Sequence, residues 1–128
     1  MLGKLFDDSN PLFLQIKKRI EDQIINGVLG ENAQVPSIRQ ISAFYKINHI
    51  TVSKGVNLLV DEGILYKKRG VGIFVSKGAK KMLTHKRQQS FLTHYLEPML
   101  AEAKKLGIEI KALIEMIENE EKEKHHDQ

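Results

Sequence analysis

The 128-residue sequence contains no cysteine and no tryptophan, and it has only three prolines. Without cysteine, the chain forms no disulfides, no thiolate metal sites and no cysteine nucleophile. No apolar run approaches the roughly 18 residues that a membrane span needs, and Asp7 and Asp8 precede any apolar signal segment. We therefore expect a cytoplasmic protein with no membrane partner.

The sequence also lacks the residue patterns of common enzymes. No Ser/His/Asp array, phosphate-cradling loop or isolated carboxylate pair stands out. His85 and His94 have no carboxylate spaced with them, and His125 and His126 lie in a charged tail, so we interpret all four as solvated side chains. We predict no metal, no cofactor and no enzymatic activity.

What the sequence does have is an excess of positive charge. It contains 20 Lys and Arg residues against 16 Asp and Glu residues, a net charge of +4. Residues 79–96 carry four bases and no acid, whereas residues 97–128 carry five bases and nine acids. This polarity favours an anionic partner for one end of the second half of the chain.

The first third of the chain has the apolar periodicity of helices. Asn10 and Pro11 predict an N-cap and first helical residue for a helix over about 11–26, which Gly27 ends. Residues 30–35 are predicted to form a loop. Ser37 and Gln40 match a capping box at the start of a second helix, about 38–45. That helix is expected to bury Ile41 and either Phe44 or Tyr45.

A third helix and a hairpin follow. Asn48 is the predicted N-cap of a helix that buries Val52, Val56 and Leu59 and ends near residues 62–63. Residues 64–68 and 73–76 are two β-rich runs around a turn with two glycines, which indicates a hairpin. Three helices and a hairpin predict a mostly α winged helix-turn-helix over residues 1–77.

Residues 78–128 are predicted to form a short C-terminal helical dimerisation segment. Helical spacing returns from Ala79, but Pro98 predicts a kink or break near residues 94–97. Gly107 ends this helix, and a last amphipathic helix follows. The apolar stripe is more than a core of this size covers, so we expect an isologous homodimer. The interface is predicted at Leu92, Tyr95, Leu96, Met99, Ala103, Leu106, Ile110, Leu113, Ile114 and Ile117.

The helix-turn-helix and the hairpin carry the candidate DNA-binding residues. The first turn of a recognition helix reads base edges in the major groove, while cations and amides hold phosphates. Two glycines would let the hairpin approach a minor groove. The candidates are Ser37, Arg39, Asn48, His49, Ile50, Thr51, Ser53, Lys54, Lys67, Lys68, Arg69, Gly70 and Gly72.

These residues also resemble a known family. Residues 10–76 are similar to the DNA-binding domain of GntR-family bacterial transcription regulators, and the rest resembles the YtrA-like subfamily. The first resemblance rests on Pro11, Gln15-Ile16, residues 27–29, residues 35–39, Ile41-Ser42, residues 47–49, Thr51-Val52, Leu59, Glu62-Gly63 and residues 69–75. The second rests on Phe6-Asp7, residues 76–80, residues 96–98 and residues 102–108.

The resemblance implies roles for particular residues. Arg39 is implied to touch DNA and Thr51 to touch a phosphate. The chain departs from the family pattern at His49 and Val71, which replace the usual arginines, and at Glu31-Asn32, which replaces Pro-Gly before the second helix. Members of the subfamily pair two subunits through a short helical segment.

The leading hypothesis is a homodimeric repressor that binds a palindromic double-stranded operator. A second hypothesis is a winged-helix module that binds protein, which a solvent-facing apolar patch on helix three would favour. A third is a sensor with a small-molecule site at the dimer interface, whose effector is unknown. About 50 C-terminal residues leave little room for a pocket of ~300 Å³ within one subunit.

Overall fold

The structure, a computed structural model, describes the backbone of residues 6–126 and the side chains of residues 6–124. The chain divides into two compact units between Lys86 and Arg87. The predicted domain boundary falls earlier, between Lys77 and Gly78. Ala79 and Leu83 belong to the hydrophobic core of the first unit, which explains why that unit extends past the hairpin.

The first unit has the predicted winged helix-turn-helix order. Helices α1 (Leu12–Ile25), α2 (Ile38–Tyr45) and α3 (His49–Asp61) are followed by strands β2 (Leu65–Lys68) and β3 (Gly72–Val75). Helix α4 (Ala79–Phe91) follows the hairpin and crosses the division between the units. The mostly α winged fold is therefore confirmed.

One strand lies where a loop was predicted. Strand β1 (Gln34–Val35) pairs antiparallel with β3, which gives the sheet order β1-β3-β2. In the register, Val35 is opposite Ile73, and Leu65 is opposite Val75. Two residues are too few to show the alternation by which strands are recognised, so pairing alone makes this segment a strand.

The core of the first unit joins the three helices to the sheet. Its buried residues are Ile16, Ile20, Ile24, Val35, Ile41, Val52, Val56, Leu59, Ile64, Leu65, Ile73, Val75, Ala79 and Leu83. The predicted buried stripe of α3 is confirmed, since Val52, Val56 and Leu59 have no exposed surface. Phe44 is 72% exposed, so of the two aromatic residues considered for α2 it is Tyr45 that packs against the core.

The start of α1 differs from the prediction. Pro11 is the N-cap, with extended backbone (φ −55°, ψ 143°), so Asn10 lies outside the helix. The Pro11 carbonyl accepts hydrogen bonds from the amides of Leu14 and Gln15. The Gln15 side chain donates to the carbonyls of Asp7 and Asn10, which holds residues 7–10 against α1. These bonds take the place of the expected asparagine cap.

The other two predicted caps are present. The Ser37 hydroxyl accepts from the Gln40 amide at 3.0 Å, and the Gln40 side chain accepts from the Ser37 amide at 2.8 Å. Asn48 Oδ1 accepts from the Ile50 amide at 2.7 Å at the start of α3. Because both caps act within one turn, they fix where α2 and α3 begin.

The conformation of Asn32 explains how the fold tolerates Glu31-Asn32 in place of the family's usual Pro-Gly. It has φ +62°, a left-handed conformation that asparagine adopts more readily than most residues, and it stands where the family has glycine. Its side chain accepts a hydrogen bond from the Tyr66 hydroxyl at 3.1 Å. Glu31 accepts one from the Gly78 amide at 2.6 Å. Asn32 therefore contacts strand β2, and Glu31 contacts the residue that precedes α4.

An ionic bridge connects α1 to the end of α3. Lys17 Nζ lies 3.2 Å from Glu21 Oε2 and 3.1 Å from Glu62 Oε2. Burial opposes the charged form of Lys17, but the hydrogen bonds and charges of the two carboxylates prevail and raise its pKa. Lys86 makes a more exposed contact with Glu62.

The second unit is helical and has the predicted interruption. A π-helical turn occupies Leu92–Leu96, where the Glu97 amide bonds to the Leu92 carbonyl. Helix α5 (Glu97–Lys105) follows with Pro98 in its first turn, and α6 (Ile110–His126) comes after Gly107. Proline supplies no amide donor to the preceding turn. The chain stays helical through Leu92–Leu96, so a π-helical turn, and not a break, lies at the predicted position.

Helices α1 and α3 approach closely at Gly55. A Cβ at this position would lie 2.6 Å from the Phe13 carbonyl oxygen, a backbone atom that has little freedom to move. The fold therefore requires glycine here, although glycine lowers helix propensity.

We expect Gly55→Ala to lower the free energy of unfolding by about 1–3 kcal/mol, because overpacking outweighs a propensity gain of at most ~1 kcal/mol. Urea unfolding followed by circular dichroism measures the change. Gly30→Ala is the matched control, since no atom lies within 4 Å of its added Cβ. An unchanged or stabilised Gly55→Ala variant would contradict this close approach.

Candidate nucleic-acid interface

The first turn of α3 presents most of its predicted DNA-binding residues to solvent. Asn48, His49, Ile50 and Lys54 are exposed, and Thr51 and Ser53 are half-buried. The cap uses only Oδ1 of Asn48, so its Nδ2 donors are not part of the cap. The turn therefore offers donors and acceptors of the kind that read base edges.

The start of α2 lies next to this turn. Arg39 and His49 line one recess of about 420 Å³, together with Ile38, Ser42 and Ala43. Both side chains are exposed. The Ser42 hydroxyl donates to the Ile47 carbonyl, a bond that stabilises the turn between the helices. Ser37 lies just before Arg39, but its hydroxyl accepts the capping bond.

Lys54 lies beside the start of α1. Its ammonium is 4.0 Å from the ring centroid of Phe13, a cation–π contact. The charge of Lys54 is therefore at the N-terminal end of α1, whereas Arg39 and His49 are at the start of α2 and α3.

The wing, which is the hairpin formed by β2 and β3, carries cations on both faces of the sheet. Lys67 Nζ donates to Asn57 Oδ1 of α3 at 2.7 Å. Lys68 Nζ lies 4.9 Å from the Phe74 ring centroid and 6.0 Å from that of Tyr66. Successive residues of a strand point to opposite faces, so only Lys67 of this pair is on the face next to α3.

The two wing glycines have different local environments. Gly70 has φ +77° and no atom within 4 Å of an added Cβ, so it leaves the tip open for a close approach. Gly72 has φ +151°, and an added Cβ would collide with the Gln34 side-chain amide. The structure therefore gives Gly72 a structural role within the sheet. Arg69 is exposed at the tip.

Sequence reasoning missed Asn57. Its Nδ2 donates to Ser53 Oγ at 3.1 Å, while its Oδ1 accepts from Lys67. The spacing of four residues between Ser53 and Asn57 on α3 was a signal for their contact. The link to Lys67 had no such signal because it depends on where the hairpin packs.

The predicted interface residues of the second unit fall into two groups. Leu92, Tyr95, Met99, Leu106, Ile110, Ile114 and Ile117 are exposed, Leu96 is half-buried, and Ala103 and Leu113 are buried. Leu106 is 65% exposed and Tyr95 is 63% exposed. The exposed members are apolar side chains that nothing in one described chain covers.

The described residues hold neither a candidate metal site nor a candidate membrane-spanning helix. In that part of the chain, no three His, Cys, Asp or Glu residues form a group that could hold a metal ion. His125 and His126 lie outside the described side chains. Across the described helices, none combines the length and the apolar character that crossing a membrane requires.

The site combines three features: an exposed polar turn on the second helix of the helix-turn-helix, an adjacent arginine and a cationic hairpin. Together they define a winged helix-turn-helix of the DNA-binding class. The sequence profile of "Bacterial regulatory proteins, gntR family" matches residues 12–75. The chain belongs to this family. Its predicted class, a bacterial DNA-binding transcription regulator rather than an enzyme, is thereby confirmed.

Several known proteins are similar over different lengths. The HTH-type transcriptional repressor YtrA of Bacillus subtilis is 28% identical over 109 residues, which cover 85% of this chain and 83% of YtrA. Two other curated relatives, YurK and NagR of Bacillus subtilis, are longer, and the matched residues span 28% of the length of each. The resemblance to the YtrA-like subfamily therefore extends beyond the winged domain.

Solved structures of transcription regulators have a similar fold. A transcriptional regulator from Oenococcus oeni has a TM-score of 0.77 and 26% identity, and the match covers 89% of this chain and 93% of that one. The DNA-binding domain of AraR in complex with an operator has a TM-score of 0.52 and 27% identity, with 58% of this chain and 89% of that one covered.

Proposed function

We propose that this protein is a homodimeric repressor that binds a palindromic operator, with α3 in the major groove and the wing in the minor groove. The observation that carries the proposal is the recess that Arg39 shares with His49, at the exposed start of α2 and α3. In this recess, the permanently charged guanidinium of Arg39 lies near the imidazole of His49, which can donate and accept hydrogen bonds.

The AraR complex supports binding of this kind, because its DNA-binding domain has the same fold and is bound to an operator. YtrA, which matches most of this chain, is a repressor. An operator-binding role calls for a protein located with the chromosomal DNA, in the cytoplasm. The alternative function, a module that binds protein, would need an exposed apolar patch on α3. Ile50 is the one large apolar residue of α3 that is exposed in the described chain, so the structure gives this alternative little support.

The exposed apolar residues of α5 and α6 support pairing of two chains. Ile110, Ile114 and Ile117 follow one another at helical spacing and are 63%, 49% and 47% exposed. An isologous dimer buries such a stripe against its own copy. Two recognition helices related by a two-fold axis then match two half-sites of a palindrome.

Selection from random duplexes followed by sequencing should recover a palindrome with half-sites about one helical turn apart. His49→Arg should shift or narrow the preferred half-site, because a guanidinium offers a two-pronged, permanently charged donor in place of imidazole. If the wild type selects no palindrome, the proposed binding to a palindromic operator is wrong. An identical half-site for both proteins would remove His49 from the base-reading residues.

Arg39→Ala should weaken binding to the selected operator by ~1–3 kcal/mol more than binding to random duplex, if Arg39 pairs with a base edge. Fluorescence anisotropy at one fixed salt concentration measures both affinities. Lys80→Ala is the control. Lys80 is exposed, and we propose that it contacts only phosphate, so its loss should weaken both complexes equally. If Arg39→Ala weakens binding to both DNAs equally, Arg39 contacts phosphate and does not read a base.

Ile114→Glu should convert a dimer into a monomer at micromolar concentration, because it places a charge in the centre of the apolar stripe. Multi-angle light scattering measures the mass of the wild type and the variant. Val28→Glu is the control, since Val28 is 71% exposed but lies outside the predicted interface. A monomeric wild type would overturn the proposed assembly.

A further inference from the structure

A chain of two hydrogen bonds connects α3 to the wing. Lys67 Nζ donates to Asn57 Oδ1 at 2.7 Å, and Asn57 Nδ2 donates to Ser53 Oγ at 3.1 Å. The amide of Asn57 thus uses one group for the wing and the other for its own helix. Asn57 is half-buried, whereas Lys67 is exposed.

The register of the hairpin explains why Lys67 is the lysine that reaches α3. Lys67 is opposite Ile73, a buried residue, and Lys68 is opposite Gly72. Lys67 therefore shares the α3-facing side of the sheet with Leu65 and Ile73. Lys68 projects on the other side, next to Phe74.

Asn57 holds the ammonium without neutralising it. A carboxylate at this position would cancel the charge of Lys67, whereas an amide oxygen accepts a hydrogen bond and leaves the full charge available. A lysine side chain has large rotamer freedom, which it loses when it contacts a fixed partner. If part of that freedom is already lost in the free protein, less is lost when DNA binds.

We propose that Asn57 is a positioning residue that holds Lys67, at full charge, next to the recognition helix for contact with a DNA phosphate. Asn57 itself makes no DNA contact in this arrangement and acts through Lys67. The inference rests on the proposed function, because it requires DNA at α3 and the wing. It assigns to Asn57 a role in phosphate binding that couples the two elements.

The test is a double-mutant cycle on the full-length protein with random duplex DNA. Asn57→Ala should weaken binding by about three- to tenfold in the wild type, and by less than about 1.5-fold in a Lys67→Ala background, because its effect requires Lys67. In a Lys68→Ala background, the full effect of Asn57→Ala should remain. Lys68 is the matched control because it lies on the opposite face of the same strand.

Asn57→Asp gives a second, independent readout. A carboxylate pairs with Lys67 and competes with phosphate, so the slope of log affinity against log salt should fall in magnitude by about 0.9, the value for one lost phosphate contact. Asn57→Gln, which keeps a neutral amide, should retain the wild-type slope. Thermal unfolding of each variant, followed by circular dichroism, separates these effects from a loss of folded protein.

The outcomes separate this inference from the proposed function. If the wild type binds DNA but Asn57→Ala weakens binding equally with and without Lys67, the positioning role is wrong and the proposed function stands. An unchanged salt slope for Asn57→Asp would also overturn it. If the wild type shows no affinity for duplex DNA, the proposed function itself fails.

Discussion

The close packing of α3 against α1 is the constraint on which the DNA-binding face depends. Gly55 lets the backbone of α3 approach the Phe13 carbonyl, and Val52 and Val56 are fully buried on the same side of α3. With that side fixed against the core, the opposite side of the helix has to face solvent. The exposure of Ile50 and Lys54, which helical spacing places on that opposite side, follows from this packing and not from polarity alone.

Two kinds of local hydrogen bond then set the geometry of the helix-turn-helix. Side-chain caps at Ser37 and Asn48 fix the first residues of α2 and α3, and the bond from Ser42 to the Ile47 carbonyl stabilises the turn between them. As a result, Arg39 and His49 line the same recess. The caps use the acceptor oxygens of both capping residues, so these two residues serve the fold as well as the surface.

The sequence indicated which types of residue lie in the candidate site, but it did not indicate which of their side chains contact one another. Lys67 and Lys68 look equivalent in the sequence, yet the period-two geometry of a strand separates them onto opposite faces. Asn57 looks like any polar helical residue until the hairpin is packed against α3. Ala103 and Leu113 likewise fit the apolar stripe of their helices, and only the packed structure distinguishes them as buried.

The sequence by itself determined the three helices of the winged domain, the hairpin and the irregular helical turn before Pro98. These features depend on capping, helical periodicity, turn glycines and proline geometry, which act over a few residues. The tertiary structure alone decided strand β1, the N-cap at Pro11, the exposure of Phe44 and the Asn57–Lys67 link. Most of these depend on contacts between segments far apart in the chain, and such contacts have no local pattern because the rest of the fold must first bring the segments together.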